Sequence, residues 1–135
     1  MTAATSDRDT VRREAVTFSY AAKGNALFYV GALAAIDTAT GLVEPCTGAA
    51  TQRVAGVVEQ RLNTAGLADG STTVKVRRGC FRFSNDAAPN NYTAADIGTA
   101  AHALDDSTVS KAAAAAASAG TVRDVEPNGD VWIEI

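Results

Sequence analysis

Thr72-Thr73-Val74-Lys75-Val76-Arg77-Arg78-Gly79-Cys80-Phe81-Arg82-Phe83 changes face halfway along. Val74 and Val76 are apolar at even positions, and Lys75 and Arg77 are polar at odd ones. Beyond Gly79 the large apolar residues, Phe81 and Phe83, stand at odd positions around Arg82. A strand turns successive side chains to opposite faces, so a parity switch needs one extra residue. Glycine supplies it most easily, as a β-bulge or sharp bend. The stretch predicts one long bent strand in an all-β domain, a small β-barrel or a sandwich-like body.

The flanking sequence agrees with that class. Upstream, Val16, Phe18 and Tyr20 alternate with Thr17 and Ser19. The apolar run Ala26 to Ile36, broken at Gly31, leads through the turn residues Asp37 to Gly41 into Leu42-Val43, a predicted hairpin. Val54, Val57 and Val58 around Gly56 read as another strand. Downstream, Thr93 and Asp96 have the spacing of a capping box for one short helical turn stopped at Gly98. Ala100 to Leu104 is a weak strand. Ala112 to Ala117, six alanines, reads as a loop with at most one helical turn, because an isolated helix needs about 12–15 residues. Thr121–Val125 and Val131–Ile135 predict a hairpin with Asn128-Gly129 at its tip, as a type I′ turn requires. Val131, Ile133 and Ile135 share one of its faces.

At 135 residues the chain reads as one β domain, residues 16–135, behind a flexible N-terminal arm, residues 1–15. Alanine contributes 29 residues, while Phe, Tyr and Trp together contribute eight, so the core is expected to be thin and to gain from oligomerisation or docking. Net charge is −3, which argues against nucleic acid as a partner. Met1 to Glu14 has no apolar run of the signal-peptide type, and no stretch approaches about 18 apolar residues, so no membrane association is expected. Cys46 and Cys80 lie in separate predicted strand regions and are expected to be reduced.

Catalytic chemistry finds little to work with. His102 is the lone histidine, and the acids near it, Asp105 and Asp106, sit in a turn where aspartate serves backbone hydrogen bonding. No metal-ligand spacing, phosphate loop or nucleophile elbow occurs. The expectation is no enzyme, no cofactor, no metal and no small-molecule substrate. Two basic groups remain as contact residues: Arg8, Arg12 and Arg13 in the arm, and Lys75, Arg77 and Arg82 on an exposed face of the bent strand. The alternative class is a stand-alone β-barrel module binding a carbohydrate or peptide. It would need an aromatic platform, and Tyr20, Tyr29, Tyr92 and Trp132 are dispersed in sequence.

Taken in order, the polar arm, Gly31-Ala32-Leu33-Ala34-Ala35-Ile36-Asp37, Val54-Ala55-Gly56-Val57-Val58-Glu59, Val74 to Phe83, Ala95-Asp96-Ile97-Gly98, Asp105 to Val109, Ala119 to Val125 and Val131-Trp132-Ile133 resemble the capsid cement (head decoration) proteins of tailed bacteriophages. The resemblance covers residues 16 to 135. It implies a small β domain that is made in the host cytoplasm and trimerises near local threefold axes on the outer surface of the virion. The implied partners are the phage major capsid protein and the chain itself as a homotrimer. The implied role is to stabilise the expanded shell against internal DNA pressure.

Overall fold

In the computed structural model, which describes residues 5–7, 9 and 11–135, the chain runs through twelve strands. They are β1 (Thr17–Ala21), β2 (Leu27–Phe28), β3 (Leu33–Asp37), β4 (Val43–Pro45), β5 (Gln52–Val58) and β6 (Leu62–Asn63), then β7 (Thr73–Arg77), β8 (Cys80–Asn85), β9 (Ala100–Ala103), β10 (Thr108–Val109), β11 (Ala117–Val125) and β12 (Val131–Glu134). Strands take 43% of the residues against a single 3-10 turn at Ala94–Asp96, so the fold is all-β. That turn carries the expected capping box: the Thr93 amide donates to Asp96 Oδ2 at 2.7 Å.

The parity switch at Gly79 is real, but it separates two strands instead of bending one. β7 pairs with β1 and β5, whereas β8 pairs with β12 and β10. Val74 and Val76 enter one apolar core with Phe28, Val43 and Val58. Phe83, with half-buried Phe81, enters another with Leu33, Val57, Val122, Val131 and Ile133. The two halves of the stretch thus serve different cores. Gly79 turns the corner between them at φ +156, a conformation that L side chains rarely adopt.

β3 and β5 form the partition between the cores. Along β3, Leu33 and Ala35 face one core while Ala34 and Ile36 face the other. Along β5, Val54 and Val57 meet the core of Phe83, and Ala55 and Val58 meet the core of Phe28. A strand buried on both sides has no polar alternation, which is why Val54 to Val58 is nearly continuously apolar. The ladder slips between Ala34 and Ala35 opposite this segment.

Ten strands make one mixed sheet, and β2 with β6 makes a separate small pair. On the C-terminal side β11–β12–β8–β10–β9 return to β11, a partial ring and not a true barrel. On the N-terminal side β1–β7–β5–β3–β4 curl until Ala22 bridges Val43.

Two local expectations are corrected. β11 begins at Ala117, inside the alanine run, instead of at Thr121. Ala117 and Ala119 are fully buried beside Ala101 and Ala103 of β9, where only small side chains fit between the walls. At the last hairpin, Gly129 alone has positive φ, and its amide donates to Glu126 across a turn through Pro127-Asn128. Proline at the second turn position fixes negative φ and selects a type I-like turn followed by a left-handed glycine, so the loop is wider than type I′.

Candidate functional site

The basic residues of the predicted strand face do not form one surface. Lys75 and Arg77 project from β7 and share Glu59, at 3.5 and 3.6 Å. Arg82 stands on β8, across the Gly79 corner, and meets Glu126 at 3.4 Å and Asp130 at 3.7 Å. All three guanidinium or ammonium groups are thus already answered by carboxylates.

The arm guesses divide differently. Arg8 lies outside the described residues. Arg12 is exposed, and Val11 beside it is 94% exposed, so this segment presents side chains outward before β1. Arg13 folds over the ring of Phe18, 4.9 Å from its centroid. Phe18 stacks on Tyr20, with ring centroids 5.8 Å apart and planes 10° from parallel. Both rings belong to β1 and are half-buried at the rim of the N-terminal core.

Tyr20 also lines a groove of about 340 Å³ with Ile36, Arg53, Val54, Ala55 and Arg78. β3 holds Ile36 opposite Arg53 of β5, and the Arg78 amide donates to the Val16 carbonyl at 2.7 Å, fixing Arg78 beside the start of β1. Four segments separated in sequence therefore converge there. The sequence offered Arg78 only as part of the dense basic run of the bent strand, and nothing in it paired Arg78 with Arg53, because their proximity is created by the ladder.

Other groups named from sequence have structural duties. His102 lies in β9, and its backbone amide donates to the Tyr92 hydroxyl at 2.9 Å. Asp105 closes its turn by accepting from the amides of Ser107 and Thr108 at 2.8 and 2.7 Å. Burial alone would raise that carboxyl's pKa, but these donors outweigh it and hold it below the ordinary value. Among the described residues no three His, Cys, Asp or Glu side chains converge as a metal site. Cys46 and Cys80 are free thiols.

Tyr20 stacks on Phe18, but Tyr29, Tyr92 and Trp132 do not join it in a platform. Tyr92 is buried, and its hydroxyl donates to the Ser110 carbonyl at 3.0 Å. Trp132 donates its indole N–H to Glu126 at 2.8 Å, while Tyr29 is exposed beneath Arg61. A second groove, about 380 Å³, is lined by polar side chains including Asn85, Asp86, Asn128 and Asp130, without an aromatic ring.

Comparison with family models, curated proteins and solved structures finds no match.

Proposed function

We propose that the chain is a structural protein of a tailed-phage virion that decorates and stabilises the outer surface of the capsid, as trimers at local threefold positions. The observation that carries the reading is the ordered set of segments resembling head decoration proteins. Those segments are also the framework of the fold. Leu33–Asp37 and Gln52–Val58 make the partition, Thr73–Arg77 and Cys80–Asn85 make the crossing between cores, and Ala117–Val125 with Val131–Glu134 makes the closing hairpin.

Adhesion is the physical task. A β body with two apolar cores presents residues 11–15 to the outside ahead of β1, and repeated copies on a symmetric shell convert weak single contacts into stable coverage. The major capsid protein is the partner, and a second and third copy of the chain complete the trimer.

The test is co-sedimentation of the full chain with expanded, emptied phage heads, alongside its mass by light scattering. Saturable binding near the number of local threefold positions supports the reading. Absence of binding to heads of every phage from hosts that carry such a gene refutes it. Deleting residues 1–15 then assigns the arm: undiminished binding removes Arg8, Arg12 and Arg13 from the contact.

A further inference from the structure

We infer that the groove beside β1 receives an extended, carboxylate-bearing segment of a partner protein, laid along the open edge of that strand. This rests on the capsid reading only for the partner's identity, which would then be the coat subunit.

The first argument is charge. Lys23, Lys75, Arg77, Arg82, Lys111 and Arg123 each have a carboxylate partner. Arg53 and Arg78, like Arg12, Arg13 and Arg61, have none among the described residues, but Arg13 and Arg61 lie over aromatic rings, and Arg53 and Arg78 line one groove together. The chain carries 15 acids against 12 lysines and arginines, so an internal partner was available in excess. Two guanidinium groups left unanswered on one groove make it positive within a mildly negative protein. Guanidinium groups hold carboxylates in paired, charge-assisted hydrogen bonds, better than they hold neutral groups.

The second argument is the shape of the surface. Tyr20, Ile36, Val54 and Ala55 give the groove an apolar floor. Phe18, stacked on Tyr20 beside it, carries Arg13 over its ring and so adds a further positive group next to the groove. A segment alternating apolar and acidic residues would put one set of side chains on that floor and the other toward the arginines, because strand side chains alternate.

The third argument is backbone. β1 has β7 as its ladder partner on one side. On its other side the next strand, β4, is reached only past its end, at the Ala22–Val43 bridge. Among the described residues the intervening edge has no ladder partner, which leaves it for strand addition; that mode supplies main-chain hydrogen bonds while the side chains supply selectivity. The arm of a second copy fits poorly. Its acids Asp7, Asp9 and Glu14 are balanced by Arg8, Arg12 and Arg13, and the latter would oppose Arg53 and Arg78.

The experiment uses the full chain and three fluorescent probes: an alternating valine–glutamate hexapeptide, its valine–lysine counterpart, and a short oligothymidylate. Polarisation reports affinity, and the ring resonances of Phe18 and Tyr20 report place. The glutamate peptide is expected to bind, to shift both rings, and to weaken as salt rises. The double variant Arg53→Glu with Arg78→Glu should lose at least about tenfold in affinity, whereas Lys75→Glu with Arg77→Glu should not. No binding of the glutamate peptide at about 1 mM, equal binding of the lysine peptide, tighter binding of the oligothymidylate, or indifference to the Arg53–Arg78 variant each overturns the inference. Phage heads separate this from the capsid reading. Equal head binding by wild type and the Arg53–Arg78 variant overturns the groove and leaves decoration standing. Specific peptide binding by a chain that ignores heads supports the groove and removes decoration.

Discussion

The backbone amide of Ile135 donates to the carbonyl of Gly79 across 2.8 Å. The last residue of the chain is thereby fastened to the corner where β7 gives way to β8. The tie continues as a ladder, Glu134 opposite Cys80 and Ile133 opposite Phe81, while the Ile135 side chain packs against the C-terminal core. The crossing between cores is thus clamped by the strand that closes the partial ring.

Gly79 and Gly120 should respond differently to alanine. At Gly79 an added Cβ would meet the Phe81 ring at 3.4 Å, an ordinary contact, so the cost is the backbone conformation alone. Gly79→Ala is expected to lose about 1–3 kcal/mol. At Gly120, φ is +131 and an added Cβ would fall inside the carbonyl of Glu134, which is backbone and cannot swing aside. Gly120→Ala should lose more than about 4 kcal/mol. Urea midpoints at constant slope measure both, and equal losses would remove the close approach of β11 and β12 as the reason for glycine.

Tyr92 is a structural joint. Its hydroxyl accepts from the His102 amide and donates to the buried Ser110 carbonyl. Tyr92→Phe keeps the ring and strips both partners, so it should cost about 1–3 kcal/mol. A change near zero in urea unfolding would mean that solvent replaces the hydroxyl and that the loop before β9 is more open than its burial implies.

Much of the fold was legible because period-two alternation survives wherever one strand face is buried. Val74, Val76, Val131 and Ile133 were all placed inward by parity, and each is buried. What escaped was the existence of two cores. Parity distinguishes inside from outside, but it does not say which inside, so the Gly79 switch read as a bend in one strand. Ala117 and Ala119 escaped for the opposite reason: a small side chain gives almost no pattern, although here it is what lets β9 and β11 approach. Of the groove, Tyr20, Ile36 and Val54 stood in strand-like stretches, but nothing in the sequence placed them together. Arg53 and Arg78 owe their proximity to ladders formed by distant segments, and Lys75, Arg77 and Arg82 drew the eye by density although Glu59, Glu126 and Asp130 already pair with them.

Asp105 and Asp106 should pull the pH dependence of stability in opposite directions. Asp105 has its folded pKa depressed by its turn donors. Its stabilisation is complete above the ordinary value of about 3.9 and is lost as pH falls through the depressed one. Asp106 has its folded pKa raised, first by burial and then by the neighbouring Asp105 charge. Its ionisation therefore costs stability as pH rises from the ordinary value through the raised one. Asp106→Asn should remove that loss and gain on wild type above about pH 4, while Asp105→Asn should lose stability at neutral pH and flatten the acid limb. Urea midpoints across pH decide it. Parallel curves for Asp106→Asn and wild type would show that Asp106 is not held in a desolvated place.

The two thiols give a direct readout of whether the cores open. Cys80 is exposed on β8, whereas Cys46 is buried beside Leu33 and Val57, where desolvation pushes its pKa up. Only a thiolate attacks a disulfide reagent, and only an accessible one reaches it. In native protein at neutral pH, Cys80 should react alone, slowly because its own pKa is also raised, by partial burial and then by Glu134. Cys46 should react at the rate set by opening of the C-terminal core. Gly120→Ala, which weakens the β11–β12 contact, should therefore speed labelling of Cys46 by a larger factor than that of Cys80, which is already exposed. If both thiols react together in the native state, the partition strands β3 and β5 do not seal that core.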